Sequence, residues 1–476
     1  MDIDTYKNAI GTALPEDLKA FFRKMQALGA PLYIVGGLVR DILLGLEVNA
    51  RSDIDICGPL HPDMLVPMAL ELAGVKHHPR SAALGTVALE LPAESGGSYM
   101  MEYTAFRRDS YRGGGHRPVS TEFVATAWED ALRRDFTCNA VYYHPAAGEL
   151  IDPLDGLSAI EERRLVATRP AGEVFSEDGL RIMRLARFAA TLGFSVADDA
   201  LEAAAASASL LRDVATERIR DELTGLLLCD LRPPLPLAPA PDLLYGLRLL
   251  HRTGALAVVL PPLAQGDGVI QSKKWHAYDV LEHAFHVCAA SEPDLALRLT
   301  GLLHDVGKPF TLDERGRMIG HDKLGAQMAE KLLGPEGLHY NGELVRRVCR
   351  LIGVHMFDLS GQAREKTLRR AFAKMGRETA YDLIKVRRAD VIGSGIREEE
   401  PEVCARWRRV LSEMESDGAP FSVAELQIDG RRVMELTGLP PSSKIGELLA
   451  RLLLYAAAAP GRNNPQELER ALKSMV

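Results

Sequence analysis

Asp53 and Asp55 stand two residues apart in the run SDIDI. On an extended strand, side chains at that spacing share a face, so the two carboxylates stand together while Ile54 and Ile56 point the other way. Neighbouring unpaired carboxylates repel, and a divalent cation between them relieves the repulsion. Just upstream, an apolar strand over residues 32–35 meets Gly36 and Gly37, and a helix is predicted over 38–44. Glycines let backbone come close to a ligand, and the N–H groups that open a helix attract phosphate. A phosphate-accepting turn beside a two-carboxylate site is the equipment for metal-assisted chemistry on a nucleotide. Taken singly, each half is commonplace.

Two further clusters carry the same theme. In RRDFTCNA, Arg133, Arg134, Asp135 and Asn139 fall together, and the spacing of Asp135 and Asn139 predicts one helical face. Short hydrogen-bonding side chains suit ribose hydroxyls, and guanidinium groups suit phosphate. Seen alone, the cluster also reads as an exposed, charged helix end. In FSEDGLRIMRLARF, Ser176 is the expected cap of a helix with Glu177 and Asp178 in its first turn, and Asp178, Arg181, Arg184 and Arg187 recur every third residue. An Asp178 acceptor beside an Arg181 donor fork complements the pairing edge of cytosine or adenine and mismatches that of guanine or uracil. The plain alternative is an intrahelical ion pair.

Elements able to position these groups are legible around them. Residues 14–29 read as an amphipathic helix feeding the first strand, and GTVALEL and YMMEYTAFR read as further strands. Glu102, in the second of these, is the candidate third carboxylate. The loop RRDSYRGGGHRP, with Gly113–Gly115 among Arg112, His116 and Arg117, reads as a basic connection. From Leu157 onwards strand signals nearly vanish and helix follows helix. Proline clusters at 233–241 and at Pro261-Pro262 read as linkers or sharp joints. The basic segment 364–388 reads as a helix suited to an RNA backbone, or simply as a solvated face.

At 476 residues the chain is long enough for three or four domains, and 47% apolar with 26% charged residues is an ordinary globular balance. A net charge of −8 means that nucleic acid must be held by local basic patches. Six cysteines (Cys57, Cys138, Cys229, Cys288, Cys349, Cys404) without CxxC spacing argue for a reducing compartment and against a zinc ribbon or disulfide framework. With an acid-containing N-terminus and no apolar run of spanning length, a cytoplasmic location and no membrane partner are expected.

In this order, GGLVRD…SDIDI, RRDFTCNA and EDGLRIMRLARF resemble the class II tRNA nucleotidyltransferase and bacterial poly(A) polymerase superfamily, over roughly residues 30–225. The resemblance implies an α+β chain: a polymerase-β-like nucleotidyltransferase head (residues 1–155), a nucleotide-selecting helical domain (156–235) and a long all-α body. By motif, Asp53 and Asp55 hold Mg²⁺ and are catalytic. Gly37, Arg40, Arg134, Asp135 and Asn139 contact the nucleotide; Asp178 and Arg181 read the base, with Arg184 and Arg187 further along the helix. The loop 107–117 looks like the family's flexible element.

WHAYDVLEHAFH, LLHDVGKP, IGHDKLGA and ADVIG fit the HD-domain pattern over 236–395, with His283, His304, Asp305 and Asp390 as ligands of a divalent metal. Lys308 and the pair His321-Asp322 are also typical of it. Such domains are phosphohydrolases of phosphomonoesters or cyclic phosphates, or inactive structural relatives. Residues 396–476 resemble a helical tail that the family places on tRNA. The expected activity is Mg²⁺-dependent, template-independent addition of the 3′-terminal CCA of tRNA from CTP and ATP, with an accessory hydrolase in the HD domain. The alternatives are a bacterial poly(A) polymerase, to which the YY ending of RRDFTCNAVYY points, a CC-only or A-only enzyme, and an HD phosphohydrolase with an RNA-binding head.

Overall fold

Tyr33–Val35 (β1) leads through Gly36 into the helix Gly37–Leu43, and Ile54–Gly58 (β2) returns antiparallel to it, with Ile34 opposite Ile56. Gly36 is required at this turn: its φ is 79°, and a Cβ there would lie 3.2 Å from the Asp55 carboxylate. The computed structural model describes residues 2–50, 52–110, 120–233 and 235–475, in two compact units, Met1–Pro261 and Pro262–Val476.

In the first unit, β1 and β2 lie inside a seven-stranded sheet. Lys76–Ser81 (β3), Thr86–Pro92 (β4) and Ser98–Ala105 (β5) flank β2, and Tyr142–His144 (β8) and Glu149–Ile151 (β9) flank β1, in the order β3-β4-β5-β2-β1-β8-β9. Only β2 and β5 run parallel among these pairs, which puts Glu102 in register with Asp55. Arg107–Ser110 (β6) and Ser120–Phe123 (β7) form a separate hairpin. Between these strands lie residues 111–119, so Arg112, Gly113–Gly115, His116 and Arg117 fall outside the described residues. Val35, Cys57, Phe106, Ala131 and Tyr142 form a buried cluster on the sheet.

Two local expectations fail here. The helix predicted from Ser176 is two helices, Ala171–Glu177 and Leu180–Leu192. Asp178 between them is extended (φ −141°, ψ 105°), and its carboxylate accepts from the Leu180 N–H at 3.0 Å. The side chain that meets the first N–H of the second helix is therefore that of Asp178, while Ser176 donates to the Glu173 carbonyl inside the preceding helix. Nor is Asp135 on a helix: the helix before it is only Ala127–Ala131, and Thr137–Asn139 is a single 3₁₀ turn.

The proline segment, expected as a linker, is a strap packed along this unit. Leu237 donates its N–H to the Leu44 carbonyl at 3.0 Å, and Asp242 donates to the Ala190 carbonyl at 2.8 Å. Pro236 and Pro239 sit over Gly45 and Gly193, where a Cβ would lie 3.2 and 2.6 Å from the rings.

The second unit is helical. Asp279, Asp294 and Asn341 cap the helices Val280–Ala290, Leu295–Leu303 and Gly342–Val354 with side-chain acceptors. Trp407, fully buried, centres a core shared by Glu365–Met375, Glu402–Ser416 and Ser443–Ala457. The basic segment 364–388 spends much of its charge internally. Arg369 is buried against Asp417 at 2.7 Å, Arg377 faces Glu415 and Glu425, and Arg387 pairs with Asp390. No helix among the described residues is long and apolar enough to cross a membrane.

Candidate active site and metal centre

A cleft of about 1330 Å³ in the first unit gathers the head motifs; Asp53, Asp55, Gly37, Arg40, Arg134 and Asp135 line it, as do Asn139, Asp178, Arg181, Arg184 and Arg187. That volume exceeds the usual range for one small ligand and leaves room for a nucleotide together with a chain end. The sheet places Asp53 just ahead of β2 and Asp55 within it. Burial, and then the charge of Asp53, push Asp55 up to about 6, with Glu102 adding to the rise and Arg134 opposing it. Asp55 and Glu102 on two adjacent strands, with Asp53 just ahead of the first, thus concentrate negative charge that the protein balances only in part. Carboxylate oxygens are hard ligands, and the donor set fits a hard divalent cation.

Opposite them runs a chain of polar contacts. Arg40, 1% exposed, grips Asp41 side-on at 2.7 and 2.8 Å and donates to Asn139 Oδ1 at 2.5 Å. Asn139 donates to Asp135 Oδ1 at 3.2 Å, and Arg184 donates to Asp135 Oδ2 at 2.7 Å. Arg184 and Arg187 both reach Glu222, at 3.5 and 2.5 Å, and both lie over the Phe188 ring. The expected Asp135–Asn139 pair therefore meets without the predicted helical face, because the 3₁₀ turn folds Asn139 back.

Burial raises Asp135, but the Arg184 guanidinium and the Asn139 amide outweigh it and hold the carboxyl at about 2. A depressed carboxyl adds stability that is complete above its unfolded value, near 3.8, and is lost as pH falls toward 2. Asp135→Asn is accordingly expected to cost on the order of 2 kcal/mol at pH 7, and about half of that at pH 3. Urea unfolding of both proteins at the two pH values measures the difference; an equal cost at both would show that the charge is not what stabilises.

Arg181, 5% exposed, donates to the Val174 and Arg133 carbonyls at 2.7 and 2.8 Å and to Glu177 at 3.1 Å. Asp178 accepts from Leu180 and faces Arg218 at 3.5 Å. Asp178 and Arg181, expected to read the base, are thus fixed by several neighbours and not by the simple intrahelical bridge that the spacing also allowed. Arg218 and Glu222, unnoticed in the sequence, lie four apart on Thr216–Leu227, and that spacing was their only signal. Arg107, from the basic loop, is tied down by Asp109 and the Leu84 carbonyl. Tyr142 and Tyr143 of the YY ending are buried in β8 and do not line the cleft.

The second unit builds a separate centre. His283 Nε2 lies 3.5 Å from Asp305 Oδ2 and 3.2 Å from Asp390 Oδ1, and His304 Nε2 lies 3.1 and 3.8 Å from the same atoms. All four expected ligands therefore converge. On the other side of Asp305, Oδ1 stands 3.3 Å from His321 Nε2 and 3.7 Å from His355 Nε2. Asp322 belongs to neither group.

The tautomers decide what this arrangement can hold. Each ring points Nδ1 at a backbone carbonyl: His283 at Gly393, His304 at Gly301, His321 at Met318 and His355 at Ile352. A carbonyl only accepts, so Nδ1 carries the proton and a neutral ring turns its Nε2 lone pair inward. His321 and His355 then set two lone pairs 3.3 Å apart, an arrangement that a cation stabilises. His283 Nε2 and His304 Nε2 are buried without hydrogen-bond partners, and Asp305 is buried with Oδ2 against Lys308 at 2.6 Å. The residues fit two divalent ions sharing Asp305. His355 was missed because a lone histidine closing a helix carries no spacing signal. His276 packs against His283 with ring centres 4.5 Å apart, and burial above all pulls it down to about 4.

Family models agree with this division. The “Poly A polymerase head domain” matches residues 32–166, the “Probable RNA and SrmB- binding site of polymerase A” matches 193–232, and the “HD domain” matches 276–393. The chain is 32% identical to the CC-adding tRNA nucleotidyltransferase of Thermus thermophilus over 92% of both chains. It is also 32% identical to the A-adding tRNA nucleotidyltransferase of Deinococcus radiodurans, over 91% of this chain and 93% of that one. Its fold is similar to that of the Bacillus stearothermophilus CCA-adding enzyme solved with CTP, with a TM-score of 0.66 at 23% identity over 97% of each chain. The chain belongs to the tRNA nucleotidyltransferase and poly(A) polymerase superfamily, in its bacterial form that carries an HD domain.

Proposed function

We propose that this nucleotidyltransferase builds or repairs the 3′-terminal CCA of tRNA from CTP and ATP, with Mg²⁺ at Asp53 and Asp55. The observation that carries the reading is a single cleft uniting the carboxylate pair, the Arg40–Asn139–Asp135–Arg184 chain and the Asp178/Arg181 pair. Bound there, the cation supplies activation of the RNA 3′-hydroxyl and neutralisation of the departing pyrophosphate. Glu102 is the third carboxylate of the proposal. Arg134 and Arg184 are placed to meet phosphate, and Asn139 and Asp135 to meet ribose. Arg181 donates to the ring nitrogen of C or A while Asp178 accepts from the exocyclic amino group. Guanine and uracil present a ring N–H there and leave Arg181 facing a donor.

A second reading has specific support: the two relatives of matching length add CC and A respectively. Purified protein offered tRNAs lacking CCA, ending in CC and complete, with each nucleoside triphosphate separately and all together, decides. Completion of all three positions is the expected result. Arrest after two cytidines, or growth only of the CC-ended tRNA by one adenosine, would establish the partial activity. Long adenosine tails would establish a poly(A) polymerase.

For the HD centre we propose a divalent-metal phosphohydrolase of phosphomonoesters or cyclic phosphates. Lys308, 2.6 Å from Asp305, and Arg387, which lines a pocket of the second unit together with His304, Asp305 and Asp390, provide the positive charge that a substrate phosphate needs.

A further inference from the structure

Asp130 lies outside the cleft, behind the arginines that line it. It is fully buried at the end of Ala127–Ala131, yet it is among the most connected side chains of the first unit. Its Oδ2 accepts from Arg134 Nη2 at 3.1 Å, from Arg134 Nε at 3.3 Å and from the Tyr142 hydroxyl at 2.8 Å. Its Oδ1 accepts from Arg133 Nε at 2.7 Å and from the Arg107 N–H, at the start of β6, at 3.3 Å. Tyr142 in turn accepts from Arg134 Nε at 3.0 Å.

The shape of the guanidinium gives this its meaning. A fork held through its Nε and Nη2 edge has its Nη1 edge directed the opposite way. Arg134 Nη1 accordingly stands at the Gly36 turn, 3.8 Å from where a Cβ would sit, with the Asp55 carboxylate 3.2 Å from the same point. Arg133 is drawn into the same carboxylate, and its carbonyl receives Arg181. Burial works against the charge on Asp130, but the two guanidiniums and the Tyr142 hydroxyl outweigh it and keep the carboxyl below its ordinary value.

We propose that Asp130 is a positioning residue of the transfer reaction: it aims Arg134 at a phosphate bound at the Asp53–Asp55 end of the cleft and ties that aim to the base of the β6–β7 hairpin. The proposal rests on the nucleotidyl-transfer reading of the cleft. Because Asp130 acts on the phosphate side, its loss should affect CTP and ATP alike and leave discrimination against UTP intact.

The test is a double-mutant cycle on nucleotide addition. Asp130→Asn is expected to lower kcat/KM roughly 30- to 100-fold for either nucleotide, and Arg134→Ala by a similar factor. Combined, they should be no worse than Arg134→Ala alone, within about threefold. Multiplying losses, or a changed preference for CTP over UTP, would overturn the proposal, since a merely structural carboxylate acts independently of Arg134. Tyr142→Phe keeps the carboxylate and the ring, and serves if Asp130→Asn does not fold. It should cost a few-fold alone and nothing further beside Arg134→Ala; an equal cost in both backgrounds would overturn the proposal. A wild-type chain that extends no tRNA would defeat the reading of the cleft itself, whereas full activity in Asp130→Asn would defeat only the positioning role.

Discussion

Asp55→Ala is expected to lower nucleotide addition by about a thousandfold or more, because even indirect supports of a metal ligand cost 10- to 100-fold when removed. The variant should nevertheless fold at least as well as the wild type when no divalent ion is present. Asp55 is raised to about 6 by burial and by Asp53, so its ionisation between the ordinary carboxylate range and pH 6 works against the folded state. Alanine removes that penalty. Paired measurements, extension of a CC-ended tRNA and thermal unfolding in chelator, should move in opposite directions or leave the melting temperature unchanged. A large fall in melting temperature would mean that Asp55 is structural, and surviving addition would mean that the cation is held elsewhere. Metal content and any hydrolysis at the HD centre should be untouched.

Asp305→Ala makes the complementary case. One carboxylate faces His283 and His304 with one oxygen and His321 and His355 with the other, so its removal should empty both positions at once. Metal analysis after gel filtration is expected to fall from two ions at this centre to none, and phosphohydrolase activity to vanish with them. His355→Ala, which touches one position only, should retain one ion. Retention of one ion by Asp305→Ala would show that the two groups do not share a ligand. Nucleotide addition should stay within about twofold in either variant, as loss of a site built from other residues predicts. The wild-type melting temperature should fall on chelation, since ions that bind only the folded form stabilise it by about 2.7 kcal/mol at a hundred times their dissociation constant.

What could be read beforehand was whatever a short stretch of chain determines. Asp53 and Asp55 are legible as a pair because a strand has a period of two, and His304-Asp305 are neighbours in sequence. The four expected HD ligands and the eleven expected residues that line the cleft came from such local patterns joined by resemblance, and the structure gathers each set in one place. Failures arose where distant contacts decide. Serine and aspartate compete as caps near residue 177, and Asp178 prevails by taking the Leu180 N–H. Asp135 and Asn139 were assigned a helix, because spacing four also suits a 3₁₀ turn that folds back. His355 and Glu222 act through Asp305 and Arg187, 50 and 35 residues away, whereas Asp130 stands three and four residues before Arg133 and Arg134, a helical spacing that carried a signal.

The proline strap carries a consequence for how the first unit is made. Its hydrogen bond from Leu237 to Leu44 joins residues about two hundred apart, and closing so long a loop is slow. Its seat on Gly45 and Gly193 exists only after the helices Gly37–Leu43 and Leu180–Leu192 are in place. During synthesis the ribosome would deliver the strap after every residue that lines the rest of the cleft. The strap is therefore a late-docking segment, and the nucleotide pocket acquires its last wall only when the whole unit has emerged.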